Sequence, residues 1–249
     1  MTTPMAVNGQ TPPASAPVRF SVFMLMSLRS DGATALAAFR QQAQALFEKH
    51  GVRVEGQWRM HGKGQIVGHN AFETPDLVQQ VSFPSLAQFK AYVSDPEYLR
   101  LAPPRDQGLR QVTAIAGNLL DVQNIAKPGA GPAANRLYGV GLVRFKEGGS
   151  AGLDAFNLQA QTLFARHGMH VESMMDVKQI LTPVGAEQGM APERVVVFFL
   201  DDASAMKAYA TDPEYARLAP LRDQGLEAYD FFLGTATMPS VSVSEKGAV

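Results

Sequence analysis

The sequence predicts an α+β fold in which two copies of a β-α-β-β-α-β unit pack together as one barrel. Two observations lead to this prediction. The chain of 249 residues carries a long internal repeat at a constant offset, and the same order of strand-type and helix-type patterns occurs in each copy. Each copy then has about 100 residues, which is a usual size for a small domain.

The repeat consists of two long matching blocks. Residues 39–55 (FRQQAQALFEKHGVRVE) match residues 156–172 (FNLQAQTLFARHGMHVE), and residues 95–109 (DPEYLRLAPPRDQGL) match residues 212–226 (DPEYARLAPLRDQGL). The displacement, from 39 to 156 and from 95 to 212, is 117 positions in both cases, so no net insertion separates the blocks. We interpret this as the copying of one whole structural unit.

The first half of the unit reads as a strand, a helix and two further strands. Residues 19–28 are apolar and strand-like, and helical spacing follows at Leu36, Phe39, Ala43, Leu46 and Phe47. We expect this helix to end at Gly51, because a residue without a Cβ takes the left-handed conformation that closes a helix. Residues 52–60 and 77–83 then predict the second and third strands.

The second half of the unit predicts a helix at residues 85–94 and a fourth strand at residues 111–122. Between them, Asp95 and Pro96 predict a short helical turn, since Asp caps a helix and Pro suits its first position. The second copy repeats this order from residue 137 to residue 237. This arrangement is ferredoxin-like, an antiparallel sheet with both helices on one face.

The other face of each sheet would be bare, and exposed apolar area costs roughly 25 cal/mol per Å². We therefore predict that the two sheets press their bare faces together as a pseudo-dimeric α+β barrel. The predicted division is a disordered leader (1–17), repeat 1 (18–123), a linker rich in Pro, Gly and Ala (124–135), repeat 2 (136–238) and a flexible tail (239–249).

Composition narrows the possible functions and partners. The formal net charge of −1 gives no broad attraction to nucleic acid or anionic lipid, and no apolar run reaches the roughly 20 residues of a membrane-spanning helix. The absence of Cys excludes disulfides, thiolate metal sites and cysteine nucleophiles. No phosphate-binding loop, dinucleotide fingerprint or Gly-x-Ser-x-Gly motif is present. We expect a cytoplasmic protein with a small-molecule ligand, neither nucleic acid nor membrane as partner, and homodimerisation left open.

Two segments resemble a known superfamily. Residues 81–98 (VSFPSLAQFKAYVSDPEY) and their weaker echo at 197–215 (VFFLDDASAMKAYATDPEY) are similar to the signature of the dimeric α+β-barrel superfamily. The likeness is greatest to a small bacterial domain family of unknown function that is related to the NIPSNAP proteins and the antibiotic-biosynthesis monooxygenases. It implies the barrel fold and carries no catalytic residues with it.

The second predicted strand of each copy supplies the catalytic candidates. Alternation there puts apolar side chains on one face (Val52, Val54, Trp58, Met60) and polar ones on the other (Arg53, Glu55, Gln57, Arg59, His61). Glu55 and His61 could move protons while Arg59 holds an enolate or carboxylate, and Glu172 and Asp176 are the counterparts of Glu55 and Arg59. The alternative is that this face is an ordinary solvent-facing surface.

Further residues are predicted to bind substrate or to stabilise the fold. The substrate-binding candidates are Trp58, Tyr98, Tyr215, Arg105 and Arg222, although a local Arg-Asp pair would also explain each arginine. His50 and His167 precede the glycines at two helix ends, where we expect them to contact the carbonyl groups. His61, His69 and His170 lack the spacing of a metal site, so we expect no metal.

Three functions remain open at this point. The first is a small-molecule enzyme that uses acid/base chemistry without a tightly bound cofactor, as an isomerase, lyase or cofactor-free monooxygenase acting on an aromatic or polyketide-like compound. The second is a non-catalytic small-molecule-binding or scaffold protein. The third is a haem-binding protein, because enzymes similar to chlorite dismutase also fuse two ferredoxin-like domains.

Overall fold

The computed structural model describes residues 19–120 and 135–238. We call these two parts the first half and the second half. The predicted leader (1–17) and tail (239–249), and the predicted linker (124–135) apart from Asn135, lie outside the described residues.

Both halves have the predicted order of elements. The first half contains the strands β1 (Phe20–Leu28), β2 (Arg53–Val67), β3 (Leu77–Phe83) and β4 (Leu109–Leu119), and the helices α1 (Gly32–Gln42), α2 (Gln44–His50), α3 (Leu86–Val93) and α4 (Pro96–Gln107). The second half contains β5 (Leu137–Phe145), β6 (Met169–Val184), β7 (Arg194–Leu200) and β8 (Leu226–Met238), with α5 (Ser150–Gln159), α6 (Gln161–Arg166), α7 (Ala205–Ala210) and α8 (Pro213–Asp223).

Two predicted helix boundaries are confirmed, the end of α2 at Gly51 and the start of α4 at Asp95, and a capping residue sets each of them. Gly51 closes α2 with a φ of 60°, as expected for a left-handed cap. The side chain of Asp95 accepts a hydrogen bond from the backbone N–H of Glu97, and Pro96 occupies the first helical position. The predicted single turn after Asp95 is instead a helix of 12 residues, because Leu101 and Ala102 bury its inner face.

The two sheets form one closed antiparallel barrel with the strand order β1-β3-β2-β8-β5-β7-β6-β4. The halves meet edge to edge at two seams, β2 with β8 and β4 with β6. β2 and β6 are the longest strands, with 15 and 16 residues, and each runs past its own sheet onto the other. The predicted fold class is confirmed, and closure leaves no unpaired sheet edge.

The interior of the barrel is a packed core. All eight strands contribute buried apolar side chains to it, among them Phe23, Trp58, Ile115, Phe199 and Phe232. An interior of eight strands is just wide enough for side chains to fill or to hold one small ligand, and here side chains fill it. Two cavities lie on the opposite, helix-covered faces of the sheets.

A β-bulge divides β2 into two parts with opposite facing. The register against β3 shifts between Val54 and Gly56. Val52 and Val54 pack toward the helices of the first half, whereas Trp58 and Met60 point into the barrel interior. The prediction that these four side chains share one face was therefore wrong, because one extra residue inverts the alternation.

His50 and His167 hold the helices together. His50 Nε2 lies 2.9 Å from Asp95 Oδ2, and His167 Nε2 lies 2.8 Å from Asp212 Oδ2. Each aspartate is also the N-cap of the following helix, α4 or α8. The histidines thus contact the cap of a later helix and not, as expected, the carbonyl end of their own.

This contact predicts a dependence of stability on pH. Hydrogen bonds from His167 and from the backbone of Glu214 lower the pKa of Asp212 from 3.8 to about 2. Because the folded pKa lies below the unfolded one, the stabilisation is complete above about pH 4 and is lost as the pH falls toward 2. We expect Asp212→Asn to flatten the decline of the melting temperature over this range. Parallel melting curves for the variant and the wild type between pH 4 and pH 2 would contradict this expectation.

Candidate ligand-binding cavities

Each half contains a cavity between its helices and the outer face of its sheet. Cavity 1, in the first half, has a volume of about 360 Å³, and cavity 2, in the second half, has a volume of about 380 Å³. Volumes of this order suit a small organic ligand. The cavities occupy equivalent places, since most of their lining positions are related by the offset of 117 residues.

Six lining positions carry the same residue in both cavities, and we call them the shared frame. They are Leu36 and Leu153, Phe39 and Phe156, Phe47 and Phe164, Tyr92 and Tyr209, Tyr98 and Tyr215, and Arg105 and Arg222. The frame is apolar and aromatic except for one guanidinium group and two phenols. It therefore offers a ligand a broad apolar contact and a single cationic anchor.

The arginine of each frame is fixed on two sides. In cavity 2, Arg222 Nη1 donates to Tyr215 Oη at 3.1 Å, and Arg222 Nε donates to Asp223 Oδ1 at 2.7 Å. In cavity 1, Arg105 lies 3.4 Å from Tyr98 Oη and 2.7 Å from Asp106 Oδ1. The geometry presets the direction of each guanidinium group, so little side-chain entropy remains to be lost when a ligand binds.

Aromatic rings also hold these arginines. Arg222 stands over the rings of Phe156 at 5.0 Å and Tyr215 at 5.3 Å, and its side chain is 4% exposed. Burial alone would lower the pKa of Arg222, but its contacts with Asp223 and Tyr215 outweigh burial and raise it. The cation is therefore permanent at any physiological pH.

The tyrosines of the cavities are kept neutral by burial. Burial raises the pKa of Tyr92 and of Tyr209 well above the ordinary value of 10, and it raises the pKa of Tyr229 to about 12. These phenols can donate hydrogen bonds to a ligand but do not ionise near neutral pH.

The floors of the two cavities differ in shape. The floor of cavity 2 is aromatic, with the rings of Phe198, Tyr229 and Phe231 on the sheet, whereas the equivalent positions in cavity 1 hold Val81, Val112 and Ala114. Glycines make room for the three rings, because a Cβ at Gly139, Gly141 or Gly64 would clash with Phe198, Tyr229 or Phe231 respectively. Cavity 2 therefore has a flat π-surface that cavity 1 lacks.

One wall of each cavity is formed by residues of the other half of the chain. Cavity 1 is lined by Leu181, Thr182 and Pro183 of β6, and cavity 2 by Gln65 and Ile66 of β2. This exchange follows from the length of β2 and β6, which cross the seams of the barrel. Neither half by itself would form a complete cavity.

Of the residues predicted to bind substrate, four lie in these cavities and one does not. Tyr98 and Arg105 line cavity 1, and Tyr215 and Arg222 line cavity 2. Trp58 is 1% exposed and belongs to the barrel interior, where its ring lies 6.0 Å from that of Tyr138. The bulge in β2 explains this, since it turns Trp58 away from the helices.

The predicted catalytic residues of the first half are not brought together. Glu55 accepts a hydrogen bond from Ser82 Oγ and lies 4.0 Å from Arg19 Nε. Arg59 is exposed, and His61, also exposed, lies 3.1 Å from Thr235 Oγ1. None of the three lines cavity 1 or cavity 2. Their catalytic role stays a prediction that this geometry does not favour.

Their counterparts in the second half also lie outside both cavities. Asp176 accepts from Arg194 Nε at 2.9 Å, and Arg194 also donates to Asp154 at 2.7 Å. Through these two contacts Arg194 connects β7 with β6 and α5. Glu172 lies half-buried on β6. The catalytic role of Asp176 and Glu172 likewise stays a prediction.

Sequence reasoning missed the residues that make the cavities different. Tyr229, Phe231 and Asn157 line cavity 2, and Arg40 and Gln79 line cavity 1. A comparison of the two copies at the offset of 117 could have singled them out, because these positions differ inside an otherwise shared frame. The sequence did not reveal which strand face lies under the helices.

Comparisons with known proteins establish the fold. No protein-family model and no curated protein matches the sequence. An anthrone oxidase-like protein has a similar structure, with a TM-score of 0.55 and 11% identity over 93% of this chain and 98% of that one. Chlorite dismutase from Candidatus Nitrospira defluvii has a TM-score of 0.56 and 10% identity over 90% and 93%. A proposed monooxygenase from Lactobacillus acidophilus has a TM-score of 0.51 and 9% identity over 90% and 95%.

The similarity to these three structures agrees with the barrel fold that the resemblance of the sequence implies. The narrower likeness to the NIPSNAP-related domain family stays a prediction, since no family model tests it. In the parts of the chain that the structure describes, no helix is long and apolar enough to cross a membrane.

The residues of the cavities do not fit a haem held by histidine. No histidine lines either cavity. His170 lies 3.0 Å from Asp201 Oδ2, and His69 lies 3.1 Å from Asp230 Oδ2. Across residues 19–120 and 135–238, no group of three His, Asp or Glu side chains could hold a metal ion.

Proposed function

We propose that this protein is a small-molecule enzyme that enolises an aromatic or polyketide-like ketone in cavity 2 by acid/base chemistry. The observation that carries the proposal is the Arg222–Tyr215 pair, joined at 3.1 Å at the wall of a cavity with an aromatic floor. A fixed cation beside a phenol donor, in apolar surroundings, suits the developing charge of an enolate oxygen.

Binding would use the aromatic floor. Phe198, Tyr229 and Phe231 form one side of cavity 2, and Phe156 and Phe164 of the helices form the other. Aromatic rings prefer offset-stacked or edge-to-face contacts, each worth about 0.5–1.5 kcal/mol beyond the burial of area. A planar, fused-ring compound would satisfy both sides at once, which an aliphatic compound would not.

The chemical step needs only residues of the cavity wall. Asp223, the carboxylate in the lining of cavity 2, would take a proton from a carbon that is conjugated with the ketone, which in a planar three-ring ketone is the methylene carbon across the central ring. The C–H electron pair then forms the C=C bond, and the carbonyl oxygen becomes an enolate that Arg222 and the Tyr215 hydroxyl stabilise. Return of the proton elsewhere completes an isomerisation. In the monooxygenase reaction the enolate carbon would bond to O₂ and take up a proton to form a hydroperoxide. Its O–O bond then breaks as the second C–H proton leaves, so that one oxygen atom stays as a new carbonyl group and the other leaves as water.

The structural neighbours support this class of substrate. One of them is an anthrone oxidase-like protein and another is a proposed monooxygenase. Anthrone is a planar three-ring ketone with an acidic methylene group, so it meets both requirements of cavity 2. We therefore take anthrone as the probe.

Hydrogen exchange tests the proposal. Under anaerobic conditions in D₂O, the protein should speed the incorporation of deuterium into the methylene group of anthrone, followed by proton NMR. Tyr215→Phe removes the phenol donor and should slow this exchange about 10- to 100-fold, as expected for a hydrogen bond to a charged group. Tyr98→Phe is the matched control, because it makes the same change in cavity 1 and should leave the exchange rate unaltered.

The alternative function is a non-catalytic binding or scaffold protein, and the same assay separates the two. Binding of anthrone without faster exchange would contradict the enzyme proposal and favour the alternative. Consumption of O₂ when air is admitted would distinguish a monooxygenase from an isomerase or lyase.

A further inference from the structure

The two cavities differ in charge as well as in shape. Cavity 1 is lined by two guanidinium groups, Arg40 and Arg105, and none of its lining residues is Asp or Glu. Cavity 2 has Asn157 at the position of Arg40, and Asp223 lies in its wall beside Arg222. Because Asp106 pairs with Arg105 at 2.7 Å as Asp223 pairs with Arg222, the two cavities differ in charged groups chiefly by the additional guanidinium group of Arg40.

A buried glutamine positions the additional cation. Arg40 Nη2 donates to Gln79 Oε1 at 3.0 Å, and Gln79 is 4% exposed. At the equivalent position of Gln79 the second half has Val196, so the Arg40–Gln79 pair belongs to the first half alone. The buried amide oxygen of Gln79 therefore orients the guanidinium group of Arg40 in the lining of cavity 1.

The floor of cavity 1 suits an aliphatic ligand. Val81, Val112 and Ala114 replace the three rings of cavity 2, and Met24 and Met26 lie beside them. Methionine side chains are flexible and adapt to irregular apolar shapes. A flexible chain can follow such a surface, whereas a fused-ring compound would lose the stacking contacts that cavity 2 provides.

We propose that cavity 1 is a second ligand site that binds an apolar carboxylic acid of the fatty-acid type, with its carboxylate at Arg40 and Arg105 and its hydrocarbon chain on the Met24, Met26 and Ala114 floor. Charge selects the carboxylate and shape selects the aliphatic chain. This site is distinct from the proposed enolisation site in cavity 2 and does not depend on it.

The test compares decanoate with decanol, which share a hydrocarbon chain and differ in charge. Isothermal titration of the full-length protein, below the concentration at which decanoate forms micelles, should give one decanoate per chain and an affinity at least tenfold above that for decanol. Arg40→Asn, which installs the residue type of the second half, should lower the affinity for decanoate about 10- to 100-fold and leave that for decanol unchanged.

Two further variants identify the cavity. Ala114→Phe places on the floor of cavity 1 the residue that cavity 2 carries at Phe231, and it should abolish decanoate binding. Asn157→Ala alters the position equivalent to Arg40 in cavity 2 and should leave decanoate binding unchanged. Circular dichroism verifies that each variant is folded.

Three results would overturn the inference. They are equal affinities for decanoate and decanol, undiminished decanoate affinity in folded Arg40→Asn, and loss of decanoate binding in Asn157→Ala but not in Arg40→Asn. None of these results bears on anthrone exchange, so failure of this inference and failure of the proposed function are distinguishable.

Discussion

Replacing Arg222 with Gln is expected to slow the enolisation of anthrone by on the order of 10²- to 10³-fold, the usual effect of removing one preorganised group that stabilises an oxyanion. The effect should fall mainly on kcat and much less on KM, because the charge on the oxygen develops only as the proton leaves. Glutamine retains hydrogen-bond donors and much of the length of the side chain, so the loss isolates the cation.

In Arg222→Gln, an effect on the stability of the protein has to be distinguished from an effect on the rate of enolisation. Arg222 is held by Asp223 and by the rings of Phe156 and Tyr215, so its removal also loosens α8. Arg222→Lys keeps the charge without the two-sided attachment, and it should recover part of the rate. Arg144→Gln is the control, since Arg144 pairs with Glu227 on the exposed surface of the same half. Equal loss of rate in Arg144→Gln would refute a specific role for Arg222.

Replacing Trp58 with Ala is expected to lower the free energy of unfolding by about 3–5 kcal/mol, the usual cost of removing a large buried aromatic side chain. Trp58 is 1% exposed and packs in the barrel interior, where side chains from both halves meet. Because this core is shared, we expect the two halves to unfold in one transition at a lower denaturant concentration.

The measurement is urea unfolding followed by circular dichroism, since Trp58 is the single tryptophan of the chain and its removal abolishes the tryptophan signal. Trp58→Phe keeps most of the apolar contact and should cost markedly less. The same variants test the predicted role of Trp58 in substrate binding. Weaker ligand binding with undiminished stability would return Trp58 to the substrate-binding residues and contradict its place in the core.

Local signals in the sequence predicted the order of the helices and strands and many of their ends. β3 occupies the predicted residues 77–83, and Gly51 and Asp95 mark helix boundaries as their capping chemistry requires. These features depend on local backbone preferences, which a single segment of chain carries without its neighbours. The repeat also predicted the equivalence of Tyr98 with Tyr215 and of Arg105 with Arg222, which then proved to line equivalent cavities.

Contacts between distant segments of the chain determine which face of each strand packs in the barrel interior and which packs against the helices. The bulge between Val54 and Gly56 inverts the facing of β2, so Trp58 lies inside the barrel while Val54 lies under the helices. Alternation has a period of two, and one inserted residue therefore exchanges the two faces in a way that no local preference reveals. Closure of the barrel filled its interior with side chains and left the cavities on the outer, helix-covered faces, where residues far apart in the chain line a common space.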